Sequence, residues 1–422
     1  MGALLTQRPD ASRLRAASQL AAEPAIARAL DWFSAQRRWI NEKHLELCRI
    51  PAATFREEKR AEWMASQFRA LGCDAKLDKA GNVIALPCPQ HDGPYVALTA
   101  HLDTVLEPRS PDDIRLGADG LFHGPGVADN GAGLAALLAI ARVFRDHPRL
   151  SQSSLPLMFI ANTCEEGEGN LSGMRYICRS AGLASRIAAF LVLDGPAVDH
   201  ITNRALASRR FEIVLSGPGG HSWSDYGVPN PVHALSRAIT LFAEQPLGNG
   251  AGFPRSSFNF GMIEGGTSIN AIPSSARAKV DLRSESGSRI DEMAALLTAS
   301  LERAIELENE RATTGRVTAK LREIGSRPAG QLPEDSALLA HLRSADALLG
   351  IRAHLDCAST DANIPLSLGI PALSIGAGGQ GGGAHTPSEW FHPEGRELGL
   401  RRILITLCLA MRDLDPSAAL GR

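Results

Sequence analysis

From Ile26 to Cys48, and again from Arg56 to Leu71, apolar residues recur every three or four positions, which predicts amphipathic helices, the second closed by Gly72. The period then changes. "NVIALP", "YVALTAHLDTV", "LPLMFIANT" and "AAFLVLDG" are short apolar runs bounded by turn residues, while "GLAALLAIARVF" between two of them is apolar nearly all round. Strands alternating with buried helices predict an α/β sheet covered on both faces.

After Asn203 the pattern shifts. "RRFEIVLSG" alternates like a half-exposed strand, "NPVHALSRAITLFAEQ" has helical spacing, and "SSFNFGMIEGG" and "ARAKVDLRS" are strand-like again. A long charged helix, "RIDEMAALLTASLERAIELENERA", and the strand "RVTAKLREIG" complete a βαββαβ order, the ferredoxin-like split unit. Residues 205–327 are therefore expected to form an inserted domain, with 1–204 and 328–422 forming a discontinuous first domain. Beyond the insertion the first pattern resumes, with the helix "EDSALLAHLRSADALLG", the strands "RAHLDC" and "PALSIGAG" and a terminal helix from Glu394.

Composition narrows the function classes. A chain of 422 residues exceeds the size at which single cores stop growing, which agrees with two domains. A formal net charge of -2 without a dense basic run argues against nucleic acid as a partner. The seven cysteines lack CxxC spacing, which disfavours a disulfide framework and a thiolate zinc cage and points to a reducing compartment, the cytoplasm. No apolar run approaches the roughly 20 residues needed to span a bilayer, and no secretory h-region opens the chain, so no membrane association is expected. "MGALLT" fits the myristoylation pattern, but so short a pattern arises readily by chance.

The chemistry lies where the strands of the first domain run out. "ALTAHLDTV" ends in His101 and Asp103, "HGPGVADNGAG" supplies Asp129 before a helix, and "FIANTCEEGEGN" places Glu165 and Glu166 side by side. "LVLDGP" adds Asp194 and "GGGAHTPSEW" adds His385. Singly these have ordinary explanations: a hydrogen-bonded core histidine, a helix N-cap, a turn residue, a solvated loop. Together they would put polar groups at the ends of several apolar strands on one rim, which is costly without a common partner. Histidines and carboxylates form a hard-to-borderline ligand set suited to Zn²⁺, Mn²⁺ or Co²⁺.

The segments HLD, ADN, EEGEGN, LDG, GGHS, the Asn-Ala-Ile-Pro stretch at 270–273, STDAN and AHTPSE resemble, in order and spacing, the signature of the M20 metallopeptidases and amidohydrolases, in particular the di- and tripeptidase (peptidase T-like) branch. The resemblance implies a zinc-exopeptidase-like α/β catalytic domain with a ferredoxin-like lid and dimerisation domain. It implies two divalent metal ions, usually zinc, one held by His101 and Asp194, the other by Glu166 and His385, with Asp129 bridging. Glu165 would be the general base, and Asp103 would accept the second N–H of His101. His221 in "SGPGGHSWSD" would stabilise an oxyanion across a homodimer formed through the inserted domain. Asn270 and Arg283 would hold polar or carboxylate groups of substrate, although a surface ion pair accounts for Arg283 equally well. Asn130 and Gly131 depart from the family pattern, in which an acidic residue or methionine and then lysine often follow the bridging aspartate.

The substrate expected from this resemblance is a small peptide, with an N-acyl or N-carbamoyl amino acid as the alternative. A non-catalytic binding protein that keeps the fold is the reading from another class. Two glycine-rich segments suggest nucleotide sites and fail on chemistry: "GVADNGAG" lacks the Lys-Ser/Thr of a P-loop, and "GAGGQG" is followed by His-Thr-Pro where a helix should open. Close backbone approach to substrate near His385 is the expected role of the second.

Overall fold

The runs Tyr95–His101, Leu157–Asn162 and Ile187–Leu193 fold as adjacent parallel strands buried almost throughout, as runs with so few polar side chains must. Register pairs His101 with Asn162, so two strands end together on one rim. The order across the sheet is Cys73–Leu77, Val83–Pro87, Leu157–Asn162, Tyr95–His101, Ile187–Leu193, Ala372–Ile375 and His200–Ala205, with His354–Ala358 also paired to the last. The sheet is mixed. Cys73–Leu77 and Val83–Pro87 are joined by a tight turn in which Gly81 takes φ +88°, and so short a link permits only antiparallel pairing. The computed structural model describes residues 11–87, 94–151, 155–246 and 253–413. Cys88 lies outside the described residues, and the other six cysteines are free thiols.

Helix Gly131–Asp146 is buried along most of its length, consistent with its lack of a polar face. The segment from Ile26 to Cys48 forms two helices, Pro24–Ala35 and Arg37–Cys48, because Gln36 leaves the helical conformation. The break sets Trp32 and Trp39 edge to face, and the Arg142 guanidinium lies 5.3 and 4.3 Å from their ring centroids. Ahead of them the helix Ala11–Ala22 buries only Ala17 and Leu20, a stripe too thin to announce itself in sequence. Among the described residues no helix is long and apolar enough to cross a membrane.

By its contacts the chain divides into two units: Met1–Ala205 with Gln331–Arg422, and Leu206–Gly330. In the second, the strands Ala207–Ser216, Ser256–Gly265, Ser275–Ser284 and Thr318–Arg327 form an antiparallel sheet in which the first and third are central. Helices Pro231–Ala243 and Gly287–Glu310 bury Leu235, Phe242, Met293 and Leu297 with Phe211, Ile213, Val280 and Leu282. The order is the βαββαβ expected from the alternating pattern.

In the first unit the terminal helix, described to Asp413, carries Arg402, whose guanidinium donates to both oxygens of Asp346 at 2.6 and 2.8 Å. Both side chains are buried. Asp346→Ala would leave the guanidinium without its counter-charge, at a cost of about 3–5 kcal/mol. Urea denaturation should show the loss as a lower midpoint with an unchanged slope.

Candidate metal centre

His101 closes its strand with Nδ1 2.9 Å from the main-chain oxygen of Asp103 and 3.5 Å from Asp103 Oδ1. A carbonyl only accepts, so Nδ1 carries a hydrogen, and Nε2 is the nitrogen left to face what lies beyond it. What lies there is carboxylate: Asp129 Oδ1 at 3.1 Å and Asp194 Oδ1 at 3.9 Å. The other oxygen of Asp129, Oδ2, is 3.1 Å from His385 Nε2, which is itself 2.9 Å from Glu166 Oε1. Asp129 thus stands between two imidazoles, one oxygen to each. Three sets of ligand atoms lie within 4.8 Å of one another: His101 with Asp129 and Asp194; Asp129 with Glu166 and His385; and His101 with Glu165 and Glu166.

The local backbone explains how neighbouring glutamates reach one site. Beyond Asn162 the chain leaves the strand, with Cys164 and Gly167 at positive φ. One carboxylate holds the turn: Asp103 Oδ1 accepts from the Glu165 amide at 2.9 Å, and Oδ2 from the Glu166 amide at 3.0 Å. The Thr54 hydroxyl also donates to Oδ2 at 2.9 Å. Asp103, fully buried, therefore touches both the His101 ring and the backbone of the glutamate pair.

Asn130, not Asp129, caps helix Gly131–Asp146: its Oδ1 accepts from the Gly133 amide at 3.1 Å. Its Nδ2 donates to the Leu193 carbonyl at 2.8 Å, tying the Asp129 loop to the strand that ends before Asp194. This gives the departure from the family pattern a structural role and leaves the Asp129 carboxylate outside the cap. The peptide between Asp129 and Asn130 is cis. His385 is held at φ +64°.

The glycines before His385 correct one expectation. They approach the chain's own backbone: a Cβ on Gly376 would fall 1.8 Å from the Pro196 carbonyl oxygen, and one on Gly381 would meet Ala128 and Pro196 at 2.8 Å. Gly376 and Gly381 thus sit against the loops that carry Asp129 and Asp194, while Gly378 and Gly379 sit against Arg396, Gly399 and Phe391, which leaves no room for side chains.

The electrostatics test whether cations fit. Loss of surrounding water and the nearby Asp129, Glu166 and Asp361 carboxylates push Asp194 up to about 7. Hydrogen bonds to Asp129 and Glu166 push His385 up to about 10. Burial opposes charging of His101, yet its contacts with Asp103 and Asp129 hold it well above the usual histidine range. Anions are crowded enough here that the chain by itself retains protons on their neighbours. Divalent cations would replace those protons with larger charge, and the all-nitrogen-and-oxygen donor set suits zinc, cobalt or manganese.

The residues proposed from sequence in the inserted segment belong to the second unit. His221 is exposed, and its Nδ1 accepts from the amides of Trp223 at 3.2 Å and Ser224 at 3.3 Å, so its Nε2 carries the hydrogen. Asn270 Oδ1 accepts from the Ser268 hydroxyl at 2.6 Å. Arg283 Nε donates to Asp281 at 2.7 Å. In the first unit, sequence reasoning missed Asp361, which accepts from Asn162 at 2.6 Å; Thr54; and Glu389 and His44, both buried against the Asp129 loop. Only the motifs STDAN and AHTPSE hinted at any of these.

Residues 97–406 match the profile of Peptidase family M20/M25/M40, and the chain belongs to that family. A succinyl-diaminopimelate desuccinylase of Bradyrhizobium sp. (strain BTAi1 / ATCC BAA-1182) is 26% identical over 229 residues, 50% of this chain and 58% of that protein. The chain thus spans little more than half the length of that relative. Among solved structures, a tripeptidase from Staphylococcus aureus superposes with a TM-score of 0.73 at 20% identity, covering 89% of this chain and 99% of its own. Bacillus subtilis YXEP protein, described as a dinuclear metal binding peptidase from the M20 family, superposes with a TM-score of 0.66 at 18% identity, covering 90% and 99%. These structures share the fold.

The raised groups set a pH dependence for the metal-free chain. Between pH 7 and 9 the folded form holds a proton on His385 that the unfolded chain, with histidine near 6.5, releases, and the raised His101 acts in the same direction. Their stabilisation is complete below about pH 6.5 and is lost as pH rises through the folded values. Asp194 acts in the same direction over a lower window, from about pH 3.9, where the unfolded carboxyl titrates, up to about 7. The unfolding midpoint of chelator-stripped protein should therefore fall from pH 6.5 to 9, and saturating Zn²⁺ should flatten the slope. A midpoint that rises over this range in stripped protein would contradict the assignment.

Proposed function

We propose that this chain hydrolyses an amide C–N bond in a small peptide, with His101 and Asp194 holding one divalent cation, Glu166 and His385 a second, and Asp129 bridging them. The observation that carries the reading is the division of the Asp129 carboxylate, one oxygen 3.1 Å from each histidine, with a further carboxylate beside each imidazole. Two such cations, zinc or else cobalt or manganese, supply Lewis acidity and lower the pKa of water from 15.7 to about 7.

Glu165, 5% exposed, is the base. Its carboxylate takes a proton from the attacking water and returns it to the leaving amine nitrogen. The Asp103 carboxylate fixes the main chain of Glu165 and Glu166 together, so base and ligand keep their separation. His221, with its hydrogen on Nε2, is a donor suited to the oxyanion, and Asn270 and Arg283 bind polar or carboxylate groups of substrate. The catalytic domain is residues 1–204 and 328–422, and the lid 205–327.

The lid is also the surface for a homodimer, in which His221 acts across subunits. Trp223 (86% exposed), Tyr226 (85%) and Ile269 (102%) are apolar side chains next to His221 or beside its partner strand, and Ser256–Gly265 is an open sheet edge. The cytoplasm is the compartment consistent with six free thiols among the described residues.

A second reading, hydrolysis of an N-acyl amino acid, is favoured by the similarity to a desuccinylase. Turnover of tripeptides against N-acetyl, N-succinyl and N-carbamoyl amino acids separates the two. Loss of all turnover with both cations bound would favour a binding protein instead.

Glu165→Ala should keep both metal equivalents and lose about 10²–10⁴ in kcat. Glu166→Ala should lose one equivalent, measured by elemental analysis after dialysis. Equal metal loss in the two variants would refute the division of labour.

A further inference from the structure

The loop that carries Asp129 is gripped at one peptide unit from two directions. The Val127 carbonyl accepts from His44 Nε2 at 2.7 Å, and across the same peptide bond the Ala128 amide donates to Glu389 Oε1 at 2.7 Å. Glu389 Oε1 also accepts from the Asp129 amide at 2.9 Å, and Oε2 from the Gly126 amide at 2.7 Å. Behind His44, Arg396 Nη2 donates to Nδ1 at 2.5 Å. A guanidinium only donates, so Nδ1 is unprotonated and Nε2 must carry the hydrogen that reaches Val127. The Arg396 side chain also donates to Asn41 at 3.0 Å and lies 4.5 Å from the Phe391 ring centroid.

These groups are buried: His44 is 0% exposed, Glu389 3% and Arg396 4%. A carboxylate and a guanidinium are expensive to bury, and here neither is matched by a direct ion pair with the other's kind: Glu389 is satisfied by the amides of Gly126, Ala128 and Asp129, while Arg396 donates to Asn41 and His44 and leaves its Nε without a partner among the described residues. Rotating the Val127–Ala128 peptide plane would break a hydrogen bond at each end. The residue two positions after Val127 is Asp129, whose two oxygens must serve two cations at once, and ligand distances tolerate only about 0.2 Å.

We propose that Glu389 and His44 are positioning residues: gripping one peptide unit from opposite sides, they set where Asp129 presents its oxygens and thereby the affinity of the cation pair. The inference rests on the two-cation reading above. It assigns a role to His44, which precedes the segment matched by the family profile, and to the glutamate that closes the AHTPSE motif. The polarised sequence Arg396, His44, Val127 carbonyl strengthens one end of the peptide, and the Glu389 carboxylate the other.

The test uses full-length protein stripped with chelator and titrated with Co²⁺, followed by calorimetry and by visible absorption. Glu389→Gln and His44→Leu should each weaken at least one Co²⁺ equivalent by about 10–100-fold and alter the cobalt spectrum, while His44→Gln, which keeps a donor and an acceptor, should stay within about threefold of the unaltered chain. Circular dichroism and thermal unfolding of the metal-free forms identify variants that are folded. If Glu389→Gln does not fold, the two His44 variants decide the matter. Folded variants that bind Co²⁺ like the unaltered chain, or His44→Gln no better than His44→Leu, would overturn the proposal. Uptake of fewer than two equivalents by the unaltered chain would instead overturn the two-cation reading, and the proposal with it.

Discussion

The candidate metal centre of the first unit depends on the placement of the Asp129 carboxylate between His101 and His385. Around that group the fold gathers further carboxylates, Glu165, Glu166, Asp194 and Asp103, at strand ends where water is largely excluded. Such crowding of like charge is unfavourable on its own, and the lifted values of Asp194 and His385 record it. A site that retains protons among crowded carboxylates is well matched to ions that can take their place.

The sheet supplies the rigidity this arrangement needs. Its strands are apolar nearly to their ends, so the core fixes where the polar side chains emerge. The loops are then tied to one another rather than left to the solvent. Asp103 binds the amides of the glutamate pair, Asn130 binds the strand end before Asp194, and Gly376 and Gly381 close the remaining gaps. Each link spans a long sequence separation, so the site is specified by tertiary contacts more than by any local motif.

Much of this was legible in the sequence. Period-2 and buried runs located the strands, and the order of elements in the second unit followed from strand-like and helical spacing together; Ser275–Ser284 does bury every other side chain. The metal-type residues stood out because carboxylates and imidazoles at the ends of apolar runs are conspicuous. What was hidden is informative. The break at Gln36 leaves the apolar spacing intact, and helix Ala11–Ala22 has too little buried surface to show. His44 carries no local signal and Glu389 only its place at the end of AHTPSE, since the groups they hold on the Asp129 loop are far away in the chain. The glycine tract misled for a related reason: small residues signal close approach without saying to what.

Chain order adds a constraint on biosynthesis. His385 and the strand Ala372–Ile375 lie beyond the second unit in sequence, yet that strand pairs between Ile187–Leu193 and His200–Ala205. On the ribosome the sheet must wait with an open slot at its middle while more than a hundred further residues are made, and unit Leu206–Gly330 can fold first. Nascent chains of this protein therefore pass through a stage with two unsatisfied inner edges, and the last ligand arrives only when that slot is filled.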